Sequence, residues 1–115
     1  LEKAVSLHPT KVIDEVEKSQ IRGRGGAGFC SYIKIKALSQ ESGVKYIVCN
    51  ADEGEPGNFK DRLLMENDPH AVIEGMIIMA YATGANKGYI YIRGEYQNAM
   101  KIMMVRMIYV FVTHW

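Results

Sequence analysis

The sequence contains few cysteines and no cysteine cluster. Its two cysteines, Cys30 and Cys49, lie far apart in the 115-residue chain and form no CxxC pair. Zinc and iron–sulfur sites need three or four ligands at short spacing, so these two thiols do not build such a site by themselves. A disulfide between them is compatible with the sequence, but two separate reduced thiols in a cytosol-like compartment are the expected state.

The chain also lacks an excess of charge and a long apolar run. Lysine plus arginine number 14 and aspartate plus glutamate 13, without a basic stripe, so nothing points to a nucleic acid. The N-terminus resembles no signal peptide and begins without methionine, from which we expect a fragment. Residues 102–112 are too short to span a bilayer, which needs about 20 residues. We expect a buried strand or helix there, or a damaged chain end.

Apolar spacing predicts two helices, one on each side of a glycine-rich segment. The first covers residues 9–19, starts at Pro9 and Thr10, and ends at the glycine-rich segment. The second covers residues 32–38, and residues 40–43 then form a turn. The apolar residues that share a helix face are Val12, Ile13 and Val16 in the first helix and Tyr32, Ile35 and Leu38 in the second.

Two short apolar runs predict β-strands. Residues 46–49 (YIVC) form a continuous run with β-branched side chains, as in a strand buried on both faces. Residues 89–92 (YIYI) form the second run. We expect helices over residues 60–66 and 69–83 between the strands, and another over residues 96–106. Strand, helix and strand in this order indicate a βαβ unit with parallel strands and a right-handed crossover, so the predicted fold class is α/β.

The longest predicted helix has clear start and stop signals. Asp68 is a good N-cap, and Pro69 suits the first helical position. Gly84 is placed to end the helix in a left-handed conformation. The residues expected to be buried are Val72, Ile73, Met76, Ile77 and Ala80.

Polar loops follow both predicted strands. Asn50 opens the loop after the first strand, and residues 93–95 (RGE) follow the second. Open α/β sheets bind ligands beyond the carboxyl ends of their strands. Both loops therefore lie where a binding site is expected.

Residues 23–29 (GRGGAGF) form the most distinctive segment, with four glycines in six positions. Glycine amides can converge on an anion, and the nearby cations Arg22, Arg24 and Lys34 favour a phosphate or pyrophosphate. The segment contains a GxGxxG pattern, but no strand precedes it, which argues against the ordinary Rossmann fingerprint. It also lacks the Gly-Lys-Ser/Thr end of a P-loop. A tight turn without a ligand is the alternative interpretation.

Asp52, Glu53 and Glu55 place three carboxylates within four residues. Such a group fits hydroxyl recognition on a ribose or ribityl chain, electrostatic control of a cofactor, or a metal site. The metal site is the weakest of these interpretations, because no histidine or regular ligand spacing supports it. A solvated acidic turn is the alternative. Carboxylates discourage a 2′-phosphate, so a nucleotide bound here would be NADH rather than NADPH. Phe29 could stack on a flat ring or belong to the core.

The glycine-rich and acidic segments together carry a specific resemblance. Residues 19–29, 45–57, 59–62, 68–70, 74–75 and 89–96 resemble, in order and spacing, the NADH-binding flavoprotein subunit (51 kDa type) of respiratory complex I. Its relatives in NAD-linked hydrogenases and formate dehydrogenases share these motifs. The resemblance covers about residues 9–100, and residues 101–115 diverge.

The resemblance implies a partial Rossmann-like FMN-binding domain. In this family NADH passes a hydride to FMN, and electrons leave singly through an iron–sulfur cluster, so no protein group is expected to act as a catalytic acid or base. The expected partners are NADH and other subunits of an NADH dehydrogenase or hydrogenase complex, with no nucleic acid and no direct membrane insertion. The implied location is cytoplasmic or on the mitochondrial matrix side, either soluble or peripheral to a membrane complex. By position, the FMN contacts are Gly23, Arg24, Gly25, Gly26, Lys34, Asn50, Asp52 and Glu53, and the NADH contacts are Phe29 and Glu55.

The chain departs from the family pattern in two ways. Where the family continues Gly-Phe-Pro-Thr-Gly-x-Lys-Trp, residues 28–35 read GFCSYIKI. The later Gly-Glu-Glu segment, the ubiquitin-like domain and the cysteines that hold a 4Fe–4S cluster are also missing. We therefore expect weak FMN binding or none in the isolated chain. A truncated, non-catalytic remnant or assembly module, or a site completed by another polypeptide, are the alternatives.

Overall fold

A computed structural model describes the backbone of residues 1–113 and the side chains of residues 1–107. Within these residues the chain forms six helices and two strands. In chain order they are α1 (Glu2–Val5), α2 (Pro9–Ser19), α3 (Ser31–Gln40), β1 (Tyr46–Ala51), α4 (Lys60–Asn67), α5 (Pro69–Thr83), β2 (Lys87–Ile92) and α6 (Gln97–Thr113). The strands pair as a two-stranded parallel sheet with flanking helices, which confirms the α/β fold class.

Every element predicted from the sequence is present. α2 and α5 have the predicted bounds, and the other elements have shifted ends. α1 was not predicted, β1 and β2 are each longer by two residues, and α6 runs beyond residue 106. The apolar stretch 102–112 lies in α6 and is therefore helical. Among the described residues, no helix has the length and apolar character required to cross a membrane.

The chain divides into two compact units. Unit 1 comprises residues 1–47 and 77–88, and unit 2 comprises residues 48–76 together with the described residues from 89 onward. The glycine-rich segment lies in unit 1 and the acidic segment in unit 2.

Unit 1 is built where α2 packs against α3. Its core consists of Val12, Ile13 and Ala82, and the partly buried residues around it are Leu7, Tyr32, Ile35, Ile78 and Tyr81. The predicted apolar face of α2 is therefore confirmed at Val12 and Ile13, which are both buried.

Hydrogen bonds across long sequence separations hold unit 1 together. Lys45 Nζ donates to the carbonyl oxygens of Ser39 at 3.0 Å and Thr83 at 2.9 Å. These acceptors lie in the last turns of α3 and α5, where the helix carbonyls lack intrahelical partners. The hydroxyl of Tyr81 donates to the carbonyl oxygen of Leu7 at 2.8 Å. One lysine therefore satisfies the ends of two helices just before β1 begins.

Helix ends follow the predicted signals except at α2. The backbone N–H of Ala71 donates to Asp68 Oδ1 at 3.2 Å, which confirms the N-cap of α5. Gly84 has a φ of +75°, which confirms the left-handed end of that helix. α2, however, ends at Gln20, which itself adopts a φ of +53°, so the glycine-rich segment does not end it.

Unit 2 is built where α4 packs against α6. Met65 and Met103 are its most completely buried side chains, and Ala99 is fully enclosed. Two methionines therefore contribute to the core of unit 2.

Two burial predictions were wrong in detail. β1 is not buried on both faces, because exposed and covered residues alternate along it and Val48 remains 62% exposed. This alternation is the expected pattern for a strand with one covered face. In α5, only Ile73 of the five predicted core residues is buried, and the other four are half-buried.

Candidate functional site

The glycine-rich segment of unit 1 is a closed loop. An isolated antiparallel bridge joins Arg22 and Cys30 at its base. The N–H of Gly23 donates to the carbonyl oxygen of Phe29 at 2.8 Å, and the N–H of Ser31 donates to that of Ile21 at 3.0 Å. The sequence predicted no strand before the loop, and this single bridge is consistent with that. The loop is therefore braced at its neck by its own backbone.

The loop conformation depends on glycine. Gly26 and Gly28 have φ values of +109° and +61°, which residues with a Cβ rarely adopt. Arg22 braces this turn, because its Nη1 donates to the carbonyl oxygen of Gly28 at 3.0 Å. At Gly25 no positive φ is required, and a Cβ there would meet no described atom within 4 Å. The loop thus leaves open space where a ligand could approach the backbone.

Positive groups lie beside this loop. α3 begins at Ser31, directly after it, and the N-terminus of a helix carries partial positive charge. The Lys34 ammonium lies 5.4 Å from the centroid of the Phe29 ring, in a cation–π arrangement. Arg24 is exposed on the loop itself. Unit 1 therefore brings together an open glycine loop, cations and one exposed aromatic ring.

The acidic segment of unit 2 is a series of tight turns. Asn50 Oδ1 accepts a hydrogen bond from the N–H of Asp52 at 3.1 Å. The N–H of Gly54 donates to the carbonyl oxygen of Asp52 at 3.1 Å. Asn58 Nδ2 donates to Glu55 Oε2 at 3.2 Å. Asp52 and Glu55 are both exposed, so their carboxylates are accessible to a ligand.

Glu53 differs from its two acidic neighbours because it is buried, with only 5% of its surface exposed. Its Oε1 accepts a hydrogen bond from the N–H of Asp61 at 3.1 Å, and its Oε2 accepts one from the N–H of Arg62 at 3.3 Å. Lys60 Nζ lies 3.8 Å from Oε1. Burial alone would raise the pKa of Glu53, but the two amide hydrogen bonds and the charge of Lys60 outweigh it and lower the pKa.

Arg93, the first residue after β2, reaches over the acidic segment. Its Nη1 donates to the carbonyl oxygen of Glu53 at 2.9 Å, and its Nε lies 3.8 Å from Asp52 Oδ1. Nε and Nη2 also bind the Glu95 carboxylate at 3.2 and 3.3 Å. The hydrogen bond and charge of Glu95 raise the pKa of Arg93, so it stays a cation. Unit 2 therefore ties the loops that follow both strands to each other.

Sequence reasoning missed two parts of this arrangement. Arg93 was not among the predicted site residues, although the rule about the carboxyl ends of strands pointed to its loop. Lys60, Asp61 and Arg62 fall in a predicted helix and were not assigned to the site, and Lys60 pairs with Asp61 at 2.7 Å. No sequence signal showed that the backbone N–H groups of Asp61 and Arg62 bind Glu53.

No metal centre is evident in the part of the chain that the structure describes. No group of three or more histidine, cysteine, aspartate or glutamate residues is placed there to hold a metal ion. Cys30 and Cys49 are both free and half-buried. Burial, and then the charge of Asp61, raise the pKa of Cys49. The described residues therefore do not fit an iron–sulfur cluster.

Comparison with known proteins identifies the family. A family model described as the Nuo51 FMN-binding domain (Complex1_51K) matches residues 16–108, which include both loops. The chain belongs to this family. The resemblance inferred from the two segments is thereby confirmed.

Two relatives and one solved structure illustrate the match. An NADH-quinone oxidoreductase subunit of Aquifex aeolicus (strain VF5) is 59% identical over 96 residues, which are 84% of this chain and 22% of that protein. The NADP-reducing hydrogenase subunit HndC of Solidesulfovibrio fructosivorans is 51% identical over 102 residues, 88% of this chain and 21% of that protein. The crystal structure of an NAD+-reducing NiFe-hydrogenase in the air-oxidized state has a TM-score of 0.80 at 40% identity, over 84% of this chain and 17% of that chain.

The matched region is a small part of each of these proteins. The chain spans about a fifth of the length of the relatives described above. The comparison therefore concerns only this part of those proteins.

Proposed function

We propose that this chain is part of an NADH-oxidising flavoprotein module with FMN as its cofactor. The observation that carries the proposal is the family match over residues 16–108, a range that includes both the glycine loop and the acidic loop. NADH is the proposed substrate, and other subunits of an NADH dehydrogenase or hydrogenase complex are the proposed partners. The proposed location is soluble or peripheral to such a complex.

Unit 1 would contribute the residues that receive the FMN phosphate. Exposed cations and open glycine amides beside a helix N-terminus are the features that bind phosphate in proteins. The space around Gly25 is open, so the backbone of the loop is accessible to a ligand there. The residues proposed for this cradle are Gly23, Arg24, Gly25, Gly26 and Lys34. Gly23 would act by shaping the neck of the loop, because its N–H already donates to the carbonyl oxygen of Phe29.

Unit 2 would contribute the acceptors for the hydroxyl groups of FMN and NADH. We assign Asn50 and Asp52 to the part of the site that serves the ribityl chain and phosphate. The resemblance implies the same role for Glu53, but its carboxylate is enclosed and binds the first turn of α4. Glu55 and Phe29 are assigned to NADH. Exposed carboxylates accept hydrogen bonds from vicinal hydroxyls and repel a 2′-phosphate, which supports NADH over NADPH.

The protein's own tasks are binding and orientation. When bound, FMN supplies the chemistry that accepts a hydride from NADH and returns electrons one at a time to an iron–sulfur cluster. The Phe29 ring offers a flat surface on which a nucleotide ring can stack. Arg93 donates a hydrogen bond to the carbonyl oxygen of Glu53 and so restrains the acidic loop. This restraint would keep the exposed carboxylates of Asp52 and Glu55 in position.

The proposal is tested by titrating FMN into the purified chain and following flavin fluorescence. We expect weak binding that Lys34→Met reduces further, because the cradle loses a cation. Lys36→Met is the matched control, since Lys36 is an exposed lysine of the same helix that is not assigned to the site. Tight, stoichiometric FMN would refute the expectation of weak binding, and equal affinities of the two variants would remove Lys34 from the cradle.

The alternative of a non-catalytic remnant or assembly module predicts a different result. After reconstitution with FMN, a catalytic module reduces ferricyanide with NADH, whereas a remnant retains the fold without turnover. If another polypeptide completes the site, it should co-purify with this chain and bear the Gly-Glu-Glu segment and the cluster cysteines. Ferricyanide activity that appears only with that polypeptide would favour this second alternative.

A further inference from the structure

Glu53 is the one charged residue that is buried among the residues whose side chains the structure describes. Asp52 and Glu55, on either side in the same loop, are exposed. A buried carboxylate is costly unless hydrogen bonds and an opposite charge compensate it. At Glu53 two backbone amides and the nearby Lys60 provide this compensation.

The donors belong to the first turn of α4, which has no other side-chain cap. Phe59 occupies the N-cap position of α4 and makes no capping hydrogen bond. The first N–H groups of a helix lack intrahelical partners, and a carboxylate near them is favourable. Glu53 therefore caps α4 from outside the helix, across the turns of the acidic loop.

Both the side chain and the backbone carbonyl group of Glu53 accept hydrogen bonds. The carboxylate oxygens are engaged by Asp61 and Arg62, and its carbonyl oxygen accepts from Arg93 Nη1. The side chain is enclosed by the protein, so it does not present its oxygens to a ligand in the way that Asp52 and Glu55 do.

We propose that Glu53 is the positioning residue of the acidic loop, anchoring it to the N-terminus of α4 before any ligand binds. This replaces the FMN contact that family resemblance implies for Glu53 with an indirect role through Asp52 and Glu55. The functional meaning of the anchor rests on the proposed flavin site, whereas the anchor itself is a property of the unliganded protein.

The two roles predict different effects on binding. If Glu53 touched FMN, its replacement would weaken FMN and leave NADH unaffected. If it positions the loop, its replacement weakens both ligands together, because Asp52 is assigned to FMN and Glu55 to NADH.

Hydrogen exchange of the ligand-free chain tests the anchor directly. In Glu53→Gln we expect exchange at the N–H groups of Asp61 and Arg62 to be about tenfold faster, since one acceptor oxygen and the charge are lost. Glu55→Gln is the matched control and should leave both rates unchanged. Unchanged rates in Glu53→Gln would overturn the proposal.

A second readout separates loop anchoring from helix stability. In Glu53→Gln we expect the N–H of Gly54, within the acidic loop, to exchange faster than in the wild type as well. Faster exchange at Asp61 and Arg62 with an unchanged rate at Gly54 would show that Glu53 serves only the helix and would overturn the proposal.

Ligand titrations complete the test. With FMN and NADH as probes, Glu53→Gln should weaken both, whereas Asp52→Asn should weaken FMN alone. Loss of FMN affinity with NADH affinity intact would overturn the positioning role. If the wild-type chain by itself binds neither ligand, the proposed function is decided with the missing segments supplied, and the exchange rates of the ligand-free chain alone decide whether Glu53 anchors the loop.

Discussion

Arg93 Nη1 donates to the carbonyl oxygen of Glu53 at 2.9 Å, which joins the end of β2 to the loop after β1. The two residues are 40 positions apart in the sequence. Arg93 also forms a bidentate interaction with the Glu95 carboxylate, which restricts the orientation of its guanidinium group. The acidic loop is therefore held from the neighbouring strand as well as from α4.

Replacing Arg93 with lysine should loosen the acidic loop although the positive charge is kept. Lysine is a point charge without the planar fork that reaches Glu53 and Glu95 at once. We expect the N–H of Gly54 to exchange several-fold faster in Arg93→Lys, measured by hydrogen exchange. Lys87→Arg, at the other end of β2, is the control and should leave this rate unchanged. Unaltered exchange in Arg93→Lys would show that charge alone holds the loop.

Lys45→Met should destabilise unit 1. The substitution leaves the carbonyl oxygens of Ser39 and Thr83 without the ammonium that they share. We expect a loss of about 1–3 kcal/mol in the free energy of unfolding, measured by urea denaturation. Lys87→Met, which removes an exposed lysine from β2, provides the comparison. Equal losses in the two variants would contradict a specific role for Lys45.

Two adjacent methionines of α6 should respond differently to truncation. Met103 is 1% exposed and Met104 is 59% exposed. Met103→Ala should lower the free energy of unfolding by about 2–5 kcal/mol, because it leaves a cavity in the core of unit 2. Met104→Ala should change it by about 0.5 kcal/mol or less. Similar effects in the two variants would show that this face of α6 is assigned incorrectly.

Stability should fall in acid, in part through Glu53. Amide hydrogen bonds and Lys60 lower the pKa of its carboxyl below the ordinary value of 4.5 in spite of the opposing effect of burial. A carboxyl whose pKa is lowered by folding stabilises the protein fully above the unfolded-state value, and this contribution is lost as the pH falls through the folded-state value. Urea denaturation at a series of pH values should therefore show a smaller acid loss in Glu53→Gln than in the wild type. Identical acid losses would contradict this contribution.

The sequence predicted local features well where local chemistry decides them. Asp68 and Gly84 were identified as helix ends from residue type alone, and both conformations are confirmed. The strand-like content of residues 46–49 and 89–92 likewise placed both strands. These signals operate within one helical turn or one short run, so no tertiary information is needed to use them.

Long-range relationships could not be predicted in this way. Asp52, Glu53 and Glu55 are equivalent in the sequence, and only the position of α4 determines that Glu53 is the buried one. The burial of β1 was wrong because a continuous apolar run does not reveal whether a second layer covers its other face. Gln20 shows a further limit, because this non-glycine residue ends α2 in a left-handed conformation, whereas the glycine-rich segment was expected to end the helix.

The family assignment was the most far-reaching success of the sequence. It depended on two separated loops read together, since each alone has an ordinary alternative interpretation. The FMN and NADH contacts that the family resemblance implies for individual residues are predictions. Glu53 shows why, because its burial in this chain indicates a role different from direct contact.

The most direct test of the account is a chimera. The 96 residues of this chain that align with the Aquifex aeolicus oxidoreductase would replace their counterparts in that protein, which supplies all remaining segments. The account predicts that the purified chimera holds one FMN and reduces ferricyanide with NADH, and that Lys34→Met weakens FMN retention whereas Lys36→Met does not. A folded chimera that retains no FMN would contradict the claim that these loops form part of a flavin site.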